Sequence, residues 1–130
     1  MKRYLILLVL LAMATSVFSQ ARLGRSIFEI KSEYTEYSVT EQRLENNDML
    51  LIDLSRAYVK HVFDDQGDCI LSLIIPKDSP AVQFYVEKYN KELVIISPTE
   101  WRFYAGGSIA QVKLITTDDR SIMFLWSFME

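Results

Sequence analysis

The 130-residue sequence holds one cysteine, Cys69, and one histidine, His61. A lone cysteine excludes an internal disulfide, and with one residue of each kind no zinc-ligand spacing can be written. Four glycines and three prolines leave no room for glycine-rich phosphate loops, and neither a Gly-x-Ser-x-Gly elbow nor a cofactor fingerprint occurs. Basic residues do not cluster. The 14 lysines and arginines are outnumbered by 17 acidic residues, for a net charge of −3, which argues against nucleic acid or an anionic membrane surface as a partner. Metal and cofactor are therefore both read as none.

What is present begins with Lys2 and Arg3, an apolar run from Tyr4, and the small or polar stretch Thr15 to Ser19. That order is the signature of a secretion signal. Val17 and Ser19 occupy the third and first positions before a cleavage ahead of Gln20, and the run ending at Phe18 is shorter than the roughly 18 to 20 residues that span hydrocarbon. The expectation is a signal peptide over residues 1–19 and a periplasmic or secreted protein over 20–130. Without Lys2 and Arg3, twelve basic residues face seventeen acidic ones, a net charge of −5. No cysteine follows the apolar run to carry a lipid, so no stable membrane anchor is expected after cleavage.

The remaining chain reads as one α+β domain, with short helices packed on an antiparallel sheet in two tandem helix-plus-sheet repeats, about 22–76 and 78–129. Ile27, Ile30 and Tyr34 recur at helical spacing, and Val82, Tyr85 and Tyr89 repeat the pattern 55 positions later. Ser26 is the expected cap of the first helix; Ser79, followed by Pro80, is that of the second. Strand-type sequence covers residues 36–42, 49–54, 57–64 and 69–75, then 92–97, 101–104, 108–116 and 121–128.

Turn chemistry assigns faces. Asp65, Gln66 and Gly67 make a three-residue hairpin loop that pairs Phe63 with Cys69, His61 with Leu71 and Val59 with Leu73. The turn at Asp118 to Arg120 pairs Leu114 with Phe124 and Val112 with Trp126. Val59, Phe63, Leu71, Leu73 and Ile75, with Ala110, Val112, Leu114, Phe124, Trp126 and Phe128, should then form the core stripe. The opposite face would carry Tyr58, Lys60, Val62, Ile70, Ser72, Ile74, Met123 and Leu125, and is apolar enough to want a cover.

Three groups invite a chemical reading. His61 and Cys69 share a face, but diagonal neighbours on a sheet lie about 7 Å apart at Cβ, too far for a nucleophile and its base. Asp64, Asp65 and Asp68 surround Gly67 as hairpin residues do, without the alternating ligands of a calcium loop. Trp101, Arg102, Phe103 and Tyr104 form the densest aromatic segment, suited to a binding strand.

The order of signal peptide, then Gly24, Arg25, Ser26, Ile27, Phe28, Glu29 and Ile30 opening a short helix, then an antiparallel sheet, resembles the small envelope proteins of the SmpA/OmlA type. In doubled form it resembles the β-lactamase-inhibitor-protein fold over most of residues 22–128. The resemblance implies protein binding without an active site. The leading expectation is accordingly a non-enzymatic module that holds a protein partner, or another copy of itself, on Tyr58, Val62, Ile70, Ile74, Met123 and Leu125, or on Trp101, Arg102 and Tyr104. The alternatives are a hydrolase drawing on His61, Asp64, Cys69 or Ser72, and a small-ligand carrier lined by Tyr34, Tyr85 and Trp126.

Overall fold

Ser26 opens the first helix, α1 (Ile27–Glu33), its hydroxyl accepting the Glu29 N–H at 3.3 Å. The second helix, α2 (Ser79–Glu92), is capped one residue earlier than expected. Asp78 takes the capping position from Ser79 because its carboxylate accepts the Ala81 N–H at 2.8 Å, leaving Pro80 in the first turn where no donor is needed. Ile30 and Tyr34 on the first helical segment, and Tyr85 and Tyr89 on the second, are buried as the 55-residue repeat requires. The computed structural model describes residues 22–105 and 107–129; the leader-like residues 1–19 lie outside them.

After α1 come β1 (Ser38–Leu44), β2 (Asn47–Asp53), β3 (Ala57–Phe63) and β4 (Cys69–Pro76). After α2 come β5 (Val94–Ser97), β6 (Glu100–Ala105), β7 (Ser108–Thr116) and β8 (Ile122–Phe128). All join one eight-stranded sheet in the order β1-β2-β3-β4-β8-β7-β6-β5, with every neighbouring pair antiparallel. Each half of the chain is thus a helix followed by a four-strand meander, and the two meanders meet through their last strands. Residues of both helices enter a single core with one face of the sheet, which makes this an α+β fold of two helices on an antiparallel sheet.

On β3, β7 and β8 the faces are those the alternation requires: Val59, His61 and Phe63, then Ala110 and Val112, then Phe124 and Trp126 point into the core. β4 departs from it. Cys69 faces Phe63, but Val62 faces Leu71, so Ile70 is an extra residue in a β-bulge. One added residue reverses the parity of everything beyond it. Ser72 and Ile74 therefore point inward, while Leu71, Leu73 and Ile75 turn to the outer face. His61 pairs with Ser72 rather than Leu71, and Val59 with Ile74 rather than Leu73. Ile74, expected on the outer face, is 1% exposed in the core.

Deleting Ile70 should remove the bulge without moving any other β4 side chain to the opposite face. The expected result is a folded protein whose stability in denaturant titration changes by no more than about 1–2 kcal/mol. Loss of cooperative unfolding would contradict the inward assignment of Ser72 and Ile74.

Candidate functional site

The bulge assembles a polar cluster under α1. His61 on β3 and Ser72 on β4 face one another across the ladder, with His61 Nδ1 2.9 Å from Ser72 Oγ. Cys69, just before the bulge, brings Sγ to 3.9 Å from the same nitrogen and 3.6 Å from Ser72 Oγ, and donates to the Leu71 carbonyl at 3.4 Å. His61 and Ser72 have no exposed surface, and Cys69 has 1%. The 7 Å separation expected from a regular ladder does not apply, because the bulge draws the three polar groups together. This hydrogen-bonded His-Ser-Cys arrangement overturns the expectation that the chain has no assembled chemistry, and with it the reading of the chain as a non-enzyme.

A strap from Arg22 to Ser26 roofs the cluster. The Arg22 N–H donates to Ser72 Oγ at 3.3 Å; the Gly24 N–H reaches the Cys69 carbonyl and the Cys69 N–H reaches the Arg25 carbonyl, both at 2.8 Å. Gly24 holds φ at +80°, a conformation that favours glycine. The side chains of Arg22 and Arg25 grip the two carboxylate oxygens of Glu33, at 2.5 and 2.9 Å, fastening the strap to the end of α1. The Arg22 guanidinium also lies over the Tyr34 ring, 5.5 Å from its centre.

Burial, and secondarily the charge of Arg22, pushes the His61 pKa down to about 3, so the imidazole is neutral across the physiological range. Burial pushes the Cys69 thiol up, outweighing the hydrogen bonds to Ser72 and Leu71 that act the other way, so at rest the sulfur is a thiol rather than the nucleophilic thiolate. Neutral imidazole with its proton on Nε2 accepts the Ser72 hydroxyl at Nδ1. Nε2 is buried and has no hydrogen-bond partner among the described residues. The pair is therefore a dyad, without the carboxylate that orients the histidine of a Ser-His-Asp triad.

The second half of the chain supplies an internal comparison. β7 and β8 relate to one another as β3 and β4 do, and their register partners Leu114 and Phe124 occupy the slot of His61 and Ser72. The same scaffold thus closes around two apolar side chains in one half and a hydroxyl and an imidazole in the other. Reading the sequence alone missed Ser72 as the partner of His61. The signal was a change of offset between the repeats, from 53 at Val59 and Val112 to 52 at Ile74 and Trp126, which marks the extra residue.

The other expected site residues are dispersed. Tyr58, Ile70 and Tyr104 are 42%, 43% and 53% exposed, and Val62, Arg102, Met123 and Leu125 are half-buried. Trp101 instead lies in the core, where its Nε1–H donates to Asn90 Oδ1 at 2.8 Å. The outer face carries Leu71, Leu73 and Ile75 in place of Ser72 and Ile74, and among the described residues neither helix packs on it. Asp64 closes its turn by accepting the N–H groups of Gln66 and Asp68. No three of His, Cys, Asp and Glu converge among the described residues, and none of their helices is long and apolar enough to cross a membrane. Tyr34 stands beside His61, whereas Tyr85 and Trp126 pack around Tyr89 in the other half, so the three do not line a common pocket. Comparison with protein-family models, curated proteins and solved structures finds no match to this chain.

Proposed function

We propose that the protein is a hydrolase of the serine–histidine kind, with Ser72 as nucleophile, His61 as its base and Cys69 beside them, closed at rest by the Arg22 strap. The observation behind this reading is the 2.9 Å contact between Ser72 Oγ and His61 Nδ1 in a slot that the repeat fills with leucine and phenylalanine. Burying polar groups where an apolar pair suffices costs stability, and a reactive pair gives the cluster a use. As Ser72 Oγ bonds an acyl carbon, its proton passes to Nδ1 and then to the leaving group as that bond breaks. Water deprotonated by the same nitrogen next releases the acyl group and restores Ser72.

The strap regulates this chemistry on the same reading. Protonating His61 is disfavoured while it is dry and near Arg22; lifting the strap hydrates the imidazole and returns its basicity toward the ordinary range. The leader-like segment would deliver the enzyme to the periplasm or the medium. A serine-directed fluorophosphonate, with the adduct located by mass spectrometry, tests the assignment. Slow labelling of Ser72 is expected in the wild type, at least tenfold faster labelling in Glu33→Gln, and none in His61→Gln. A folded Glu33→Gln protein that stays unlabelled at Ser72 would sink the proposal.

A second reading, protein docking on the outer sheet face, draws on the exposure of Tyr58, Ile70 and Tyr104. Charged replacements of Ile70 and Met123 should weaken association with a partner and leave the unfolding midpoint nearly unchanged. Failure of that double variant to fold would mean that the face is core.

A further inference from the structure

An open sheet has two edges, and here they differ in chemistry. β1 exposes Thr40, Glu41, Gln42 and Arg43, polar and charged guards of the kind that keep an edge from pairing with other chains, and Glu41 is further tied to Lys31 by an ion pair. β5 has no guard of this sort. Its sequence is Val94, Ile95, Ile96 and Ser97, without a charge, and the three branched apolar side chains are 49%, 54% and 42% exposed. Among the described residues, β6 is its only strand neighbour. No backbone group of Val94, Ile95 or Ile96 bonds outside that ladder among the described residues.

Free main-chain donors and acceptors flanked by β-branched side chains are met by another extended, uncharged backbone. We propose that β5 pairs antiparallel with β5 of a second copy, joining two sheets edge to edge. A two-fold arrangement sets the same four residues against each other, and because none is charged it brings no like charges together. Four residues per copy bury far less than the area of a permanent dimer. The ladder irregularity between Ile95 and Ser97 also shortens the regular edge, so the association is reversible and concentration-dependent. It uses neither the His61 cluster nor the outer face.

Sedimentation of the purified protein from about 10 μM to about 1 mM tests this, a range suited to a weak pair. The wild type should move from monomer toward dimer, and Ile95→Lys should raise the dissociation constant at least tenfold. Ile95 is half exposed, so that variant should keep its circular dichroism. In the wild type, the amides of Val94 to Ile96 should exchange more slowly as concentration rises, a readout that needs no variant. A wild type monomeric throughout, or one whose amide protection there ignores concentration, would overturn the pairing. So would a dimer that survives Ile95→Lys and is lost in Leu73→Glu, which would move the interface to the outer face.

Discussion

Lowering the pH from 7 to 4.5 should cost the folded protein about 2–3 kcal/mol through His61 alone. Burial, helped by the Arg22 charge, holds the native imidazole pKa at about 3, whereas in the unfolded chain it titrates near 6.5. Between those values the unfolded chain binds a proton that the native state does not. Stability therefore falls by about 1.4 kcal/mol per pH unit through the window and levels off above and below it. Against a typical net stability of roughly 5–15 kcal/mol, the loss is large. His61→Leu, which copies Leu114 of the second half, should remove this part of the acid sensitivity while abolishing Ser72 labelling. Urea midpoints of both proteins across the pH range make the comparison; parallel curves would be incompatible with a buried neutral imidazole.

That the substitution can be designed at all reflects how far the fold is legible in the sequence. Ser26 and the helical spacing of Ile27, Ile30 and Tyr34 locate α1, and residues 108–116 are bounded as the strand pattern requires. Polar Lys60, Gln111 and Lys113 mark the outer side of β3 and β7, and the faces of β8, itself almost wholly apolar, followed from its unbroken pairing with β7. In β4 alternation could not decide. Cys69, Ile70, Leu71, Leu73, Ile74 and Ile75 are apolar on either parity, and the one polar residue, Ser72, would ordinarily be assigned to water. The fold reverses that assignment because His61 lies opposite and satisfies the hydroxyl. The strap was equally hidden, since Arg22, Gly24 and Arg25 are placed by hydrogen bonds to residues 44 to 50 positions later, which no local pattern encodes. Where two capping residues adjoin, as at Asp78 and Ser79, sequence alone leaves the start ambiguous by one position.

The repeat also sets up the second large effect: Tyr89→Ala should lose much of the protein's stability, whereas the equivalent Tyr34→Ala should lose markedly less. Tyr89 is 2% exposed and its ring lies 5.2 to 6.1 Å from those of Phe124, Trp126, Trp101 and Tyr85. Its hydroxyl accepts the Trp126 Nε1–H at 3.2 Å. Removing a ring so enclosed costs about 3–5 kcal/mol in transfer and cavity energy, and loss of the hydrogen bond adds about 1 kcal/mol. Tyr89→Phe keeps the ring and should cost only that last increment. Tyr34 is 6% exposed and meets Tyr37 and His61 at 5.8 and 6.5 Å, beside the Arg22 strap, so the space it leaves can be filled by movement of the strap or by water. Thermal or urea unfolding of the three variants should rank Tyr89→Ala as costliest by about 2 kcal/mol. Equal losses at the two tyrosines would mean that stability is shared evenly between the halves. The expected imbalance has the second half supply the rigid aromatic core, which leaves the first half able to keep a buried polar cluster and, on the proposed hydrolase reading, a strap that opens.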